Sequence, residues 1–291
     1  MTIRKLFGAD PASPPPPIAL RRTGAHLAVL RRDARLELKA AARAARIPPD
    51  QLLRAERGES LLSHWKRMRL LREYQATDQQ REALNILLRT INTTGADWTD
   101  DGRAHRRRQT AIAAPAQVHR IWATTQLPSL LRTAPYARAV ARLGTGYDER
   151  DLAAVGEHAQ DFTAGRAGRA ELLLDETVIR QATGSRAVMA GQLAHLLQLQ
   201  DRGLTEVRVL PLAVGLIPHP QVVQLDYGPN QGRLAYAELD FCTIYHSRPN
   251  ELDTFATRFE DVWTKDALTP DRSQDLVAAA IQGHHAGWWN T

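Results

Sequence analysis

The chain has 291 residues, 43% hydrophobic and 24% charged, with 38 Lys+Arg against 32 Asp+Glu for a net charge of +6. That length allows a genuine core in one large or two smaller domains, and the composition is that of a soluble globular protein. No run of about 18 apolar residues offers a membrane span, and a single cysteine, Cys242, excludes an internal disulfide framework and a Cys-rich zinc site.

The charge is unevenly placed. Residues 1–74 carry 16 Lys+Arg against 7 Asp+Glu, so the remainder of the chain is slightly acidic. A basic head on an acidic body points to nucleic acid as a partner, although arginines can also merely solvate helix faces. Residues 1–17 hold Pro11 and Pro14–Pro17 and no apolar signal core, so a disordered Pro-rich arm and a cytoplasmic location are expected.

Five short helices are predicted over 18–91. Ile18–Arg32 sets Leu20, Leu27 and Leu30 near one face, leaving Arg21, Arg22, Arg31 and Arg32 elsewhere. Leu36–Ala45 is rich in helix formers. Pro48-Pro49-Asp50 opens a third helix through Arg57, and Gly58 closes it in a left-handed cap. Leu61–Tyr74 repeats Leu61, Leu62, Trp65, Met68 and Leu71 at helical spacing. Thr77 with Gln80 makes a capping box for a fifth helix carrying Leu84, Leu87, Leu88 and Ile91.

The order of Leu27, Leu30, Arg31, Leu36, Leu38, Ala41, Ala42, Ile47, Arg54, Glu56, Arg57, Gly58, Leu70, Leu71 and Tyr74 resembles the XRE-type helix-turn-helix of actinomycete regulators. The resemblance implies a third helix in the major groove, with Asp50, Gln51 and Arg54 facing DNA and Lys39 and Arg43 near phosphates. Three departures stand out. Ala45-Arg46 replaces the usual Leu-Gly, which strains Arg46 if the turn needs a positive φ. Leu52 and Leu53 replace polar residues, and Asp50 sets a carboxylate where phosphates would lie.

The polar stretch 97–116 is expected as a linker, and 117–291 as an α+β ligand or partner domain with a small, largely antiparallel sheet. Helices are predicted at Pro135–Leu143, Glu149–Thr163, Ser185–Leu199 and Glu251–Trp263. Strands are predicted at Glu171–Leu174, Glu206–Leu212, Val222–Tyr227 and Leu234–Leu239, the last two as a hairpin around Gly228-Pro229-Asn230. Leu127–Thr133 with Tyr136–Ala139, Leu174–Glu176, Met189 with Gln192-Leu193 and His195–Leu197, Val209–Pro211, Tyr236–Glu238 and Ala267-Leu268 together resemble the domain of unknown function that follows this head in WhiJ-like, antitoxin-like regulators. The usual Pro-Gly-Leu-Leu-Gln-Thr reads PSLLRT here, and an Arg-rich segment ending in Arg-Gln reads Glu157–Asp161.

No phosphate loop, HExxH, GxSxG or complete GxGxxG occurs, so no cofactor and no metal are expected; His284-His285 lacks companions for a metal. Asp175-Glu176 and Glu238 with Asp240 end predicted strands. They are either pocket groups, with Trp122 bordering the same pocket, or helix caps and partners of Arg180 and Arg233. Tyr245-His246 is expected in a loop, and Trp288-Trp289 either covers the body or marks a contact surface. Two functions compete. The first is a regulator binding double-stranded DNA, expected as a homodimer, whose body dimerises or senses a ligand or small protein partner. The second is a repurposed regulator fold with an eroded reading helix, acting as a cofactor-independent, cyclase-like enzyme or binding protein through Asp175, Glu176 and Glu238.

Overall fold

The computed structural model describes residues 18–89, 98–101, 104–144, 146–215, 221–229 and 231–286. The Pro-rich arm, Ile91, Asn230 and Trp288-Trp289 lie outside the described residues. The chain divides into two compact units.

The first unit holds α1 (Ile18–Asp33), α2 (Leu38–Ala44), α3 (Pro49–Glu56), α4 (His64–Glu73), α5 (Asp78–Arg89) and α6 (His105–Ala113). The first four helices end alike. After α1 the Leu36 N–H reaches back to Arg31 O, after α2 Ile47 to Ala42 O, after α3 Glu59 to Arg54 O and after α4 Ala76 to Leu71 O. Each such cap needs one residue at positive φ, supplied by Arg35, Arg46, Gly58 and Gln75. Three of those four tolerate a side chain; Gly58 does not. A Cβ there would stand 2.3 Å from Arg21 Cα, and one on Gly24 would stand 2.3 Å from Ala55 O, so α1 and the end of α3 meet backbone to backbone.

Around this contact Leu27, Leu30, Ala42, Leu52, Leu70 and Leu84 form one core. Arg21 and Arg22, set off the leucine face by the helical spacing, are both buried, and Arg21 donates to Arg57 O at 3.4 Å and to Gln231 O at 2.7 Å. The expected stripe of the fourth helix is also shifted. Leu62, Leu70 and Leu71 face the core, while Leu61, Trp65 and Met68 are exposed. Thr77 and Gln80 form the reciprocal capping box read from the sequence, at 2.8 and 3.3 Å.

The stretch expected as linker holds regular structure. Trp98–Asp100 is β1, and α6 packs on α1, where Arg107 pairs with Asp33. The polar sequence concealed this because burial of its arginines depends on tertiary packing, with Arg107 held by Asp33, far away along the chain.

The second unit is a mixed sheet flanked by helices. Its further strands are β2 (Val118–Ala123), β3 (Arg169–Asp175), β4 (Thr205–Leu210), β5 (Val222–Asp226), β6 (Arg233–Glu238) and β7 (Thr243–His246), in the order β1-β7-β6-β5-β2-β3-β4. Only β2–β3 and β3–β4 pair in parallel; the other pairings are antiparallel, and β5–β6 is the expected hairpin. The helices are α7 (Ala134–Arg142), α8 (Glu149–Thr163), α9 (Glu176–Arg180), α10 (Arg186–Asp201), α11 (Pro249–Lys265) and α12 (Pro270–Ala286). Tyr245-His246 therefore sits in β7, not in a loop.

Because side chains alternate across a strand, the register divides the sheet into two faces. Trp122, Leu173 and Leu210 meet Phe259, Val262 and Trp263 of α11 on one face. His119 meets His158 and Phe162 of α8 on the other. The outer edge of β4 is closed by side chains and turns: Val207 N–H donates to Gln200 (3.1 Å), Val209 N–H to Ser273 (2.9 Å), and Leu268 N–H to Val209 O (2.9 Å). Such an edge has no free row of donors for another chain.

Candidate functional site

In the first unit, α2 and α3 are joined by residues 45–48. Ala45 is buried, Arg46 takes φ 54° and Ile47 turns inward. Ala41 and Ala42 of α2 and Leu52, Ala55 and Glu56 of α3 face the core, so the opposite helix faces are turned out. Lys39, Arg43, Arg46, Asp50 and Arg54 are exposed and Gln51 is half-buried. Arg54 Nε lies 3.6 Å from Glu59, and Lys66 donates to the Gln51 amide oxygen at 2.6 Å. Leu52 belongs to the core and not to the outward surface; Leu53 alone of the pair is partly exposed.

The acidic residues inside the head are matched. Arg31 forks onto Glu56 at 2.8 and 2.9 Å and donates to Leu36 O at 2.8 Å. Burial opposes the Arg31 charge, but Glu56 outweighs it and holds its pKa above the ordinary value. Tyr74 is pushed well up, by burial first and by the Glu56 charge second. The quoted Glu56 and Gly58 thus serve the scaffold: Glu56 binds Arg31, and Gly58 lets α3 touch α1.

In the second unit, the four residues nominated for one pocket do not share one: Trp122 and Asp175 meet, while Glu238 stands on the opposite face of the sheet. Trp122 Nε1–H donates to Asp175 Oδ1 at 3.2 Å on the α11 face, and burial raises the Asp175 pKa against that hydrogen bond. The space there is a cavity of about 10 Å³ lined by Arg120, Trp122, Gln224, Phe255 and Phe259, hardly room for one water. Glu176 is buried, pairs with Arg180 and accepts the Leu212 N–H at 2.8 Å. Its other expected reading, as a partner of Arg180, describes this contact. Glu238 lies on the α8 face, and Arg233 pairs with Asp253 instead. An open cleft of about 340 Å³ at the other end of β3 and β4, lined by Arg169, Glu171 and Glu206, involves none of the nominated residues.

Glu238 has unforeseen company. Tyr147 donates its hydroxyl proton to Glu238 and stands 3.1 Å from Arg132 Nη1, which donates to it. Arg132 is buried; its Nε–H donates to Leu127 O at 2.7 Å, while Nη2 has no hydrogen-bond partner. Burial opposes this charge, yet Tyr147 and Glu238 prevail and the Arg132 pKa is raised. Arg132 stands in the quoted LLRT segment and Tyr147 follows Gly146, so both were in view without a signal linking them to Glu238.

His119 is buried beside His158, with ring centroids 6.1 Å apart. Burial first, and His158 second, depress its pKa to about 3. His284 is buried in α12 and contacts Ile179 O at 2.8 Å through Nε2. Among the described residues no three His, Cys, Asp or Glu side chains gather into a metal-holding group, and no helix is long and apolar enough to cross a membrane.

No curated protein matches the chain. TrmBL2, an archaeal chromatin protein whose structure is described as showing a novel mode of DNA binding, is similar at a TM-score of 0.33 and 13% identity, over 69% of this chain and 66% of that one, just under two thirds. A likeness so slight carries no argument. The family described as "Domain of unknown function (DUF5753)" matches residues 107–279. With more than half of its length matched, the chain belongs to the DUF5753 family.

Proposed function

We propose that the protein is a DNA-binding regulator of XRE type, acting as a cytoplasmic homodimer, whose C-terminal unit senses a ligand or small partner. One observation carries this reading: α2, its turn and α3 hold Lys39, Arg43, Arg46 and Arg54 outward, while buried Glu56 and half-buried Asp33 of the same unit are paired with Arg31 and Arg107. The outward face therefore keeps four cations beside one exposed carboxylate, Asp50, and stays net positive, which favours phosphate. Burial of Leu52 supports the reading further, since that residue serves the core rather than eroding the outward helix face.

The repurposed reading draws on exposed Asp50 and on the Arg132–Tyr147–Glu238 cluster. A pull-down of genomic fragments at low salt, followed by sequencing, separates the two. The regulator enriches one recurrent sequence, and Arg54→Ala weakens that binding by about 1–3 kcal/mol if Arg54 reads a base. Recovery of no recurrent sequence contradicts the proposal.

A further inference from the structure

A buried guanidinium is normally matched by a carboxylate in direct contact, because an uncompensated buried charge is costly. Arg132 has no such contact: the Glu238 carboxylate reaches it only through the Tyr147 hydroxyl, and Nη2 is unused. Each edge of the rigid fork is thus half used, Nε by a carbonyl and Nη1 by a neutral hydroxyl, and the Nη2 common to both edges is held by nothing. The surroundings are apolar. Leu127, Leu131 and Tyr136 are fully buried, and the Tyr136 hydroxyl accepts the N–H of Leu127, so it holds the segment that Arg132 grips. Leu143 and Phe241, close in sequence to Tyr147 and Glu238, are largely exposed. Tyr147 is preceded by Gly144 and Gly146, at φ 84° and 73°, where the backbone turns most readily.

We propose that Arg132 anchors a receptor site for a monocarboxylate with an apolar body, closed by Tyr147 and Glu238. A carboxylate presents two acceptors in the plane of the fork, and would take Nη1 from Tyr147 while engaging Nη2. The single positive charge and the nearby Glu238 favour a monoanion over phosphate, which is mostly dianionic above neutral pH. Glu238 then acts as the internal competitor, and its charge sets how readily the site opens. The inference rests on the sensing half of the proposed function and not on DNA binding.

Calorimetric titration of the full chain without DNA tests it, using octanoate, with octylammonium and inorganic phosphate as controls. The wild type binds octanoate saturably and neither control. Arg132→Gln abolishes the binding, while Glu238→Gln tightens it roughly tenfold, a gain that a purely structural Glu238 would not produce. Tyr147→Phe, which frees Nη1, tightens it as well and serves if Arg132→Gln fails to fold. No octanoate binding by both wild type and Glu238→Gln, unchanged affinity in Tyr147→Phe and Glu238→Gln, retention in a folded Arg132→Gln, or equal binding of either control overturns the assignment. Loss of octanoate binding alongside intact DNA recognition removes the receptor alone.

Discussion

Three buried ionisable groups, Arg31, Glu56 and His119, illustrate how single residues constrain this chain. Arg31 and Glu56 are nearly removed from water, so deleting one partner strands the other. Glu56→Ala is expected to destabilise the head by about 3–5 kcal/mol, while the paired change Arg31→Met with Glu56→Leu costs much less. Urea denaturation of the three proteins decides, and equal losses in single and double variants would show that the ion pair is not the reason. His119 sets a pH dependence. Its folded-state pKa lies near 3, below the ordinary 6.5, so the unfolded chain takes up the proton first as pH falls. Stability is therefore complete above about pH 6.5 and declines toward pH 3, by up to about 1.4 kcal/mol per pH unit for this one group. His119→Phe should flatten that slope between pH 6 and 4; a variant as acid-sensitive as the wild type would assign the effect to His158 or other groups.

At the scale of elements, the left-handed caps make opposite predictions for similar positions. Gly58→Ala forces a Cβ against the backbone of α1 and should destabilise by at least about 2 kcal/mol. Arg46→Gly, at an exposed cap with the same sign of φ, should stabilise by about 0.5–1 kcal/mol. Thermal melts of both variants suffice, and a shift in the same direction would mean that close approach at Gly58 is not decisive.

Elements with local signals were legible in the sequence: Pro49 and Gly58 bracket α3, Thr77 and Gln80 cap α5, and Ser185 caps α10, accepting the Val188 N–H at 3.2 Å. β2 was not, because its alternation is obscured by residues whose partners are remote. His119 is buried by α8, and Arg120 pairs with Glu171 at 2.7 Å. The site shows the same limit. Glu238 was visible as a carboxylate at a strand end, but the face it takes depends on register across four strands, so its separation from Asp175 and its meeting with Tyr147 were not.

For the whole molecule, the basic head and acidic body acquire a more exact meaning. Part of the positive charge is internal, since Arg21, Arg22, Arg106 and Arg108 are buried, and net charge alone overstates what the surface offers to DNA. The cations that remain outward on α2 and α3 form a specific claim. The most direct measurement is the salt dependence of the affinity of the full chain for its enriched DNA fragment, with Arg43→Ala beside the wild type. The account predicts a linear fall of log K with log salt, lower affinity for Arg43→Ala at every salt and a slope shallower by about one unit. A wild-type affinity insensitive to salt, or identical lines for the two proteins, would contradict DNA binding through this face.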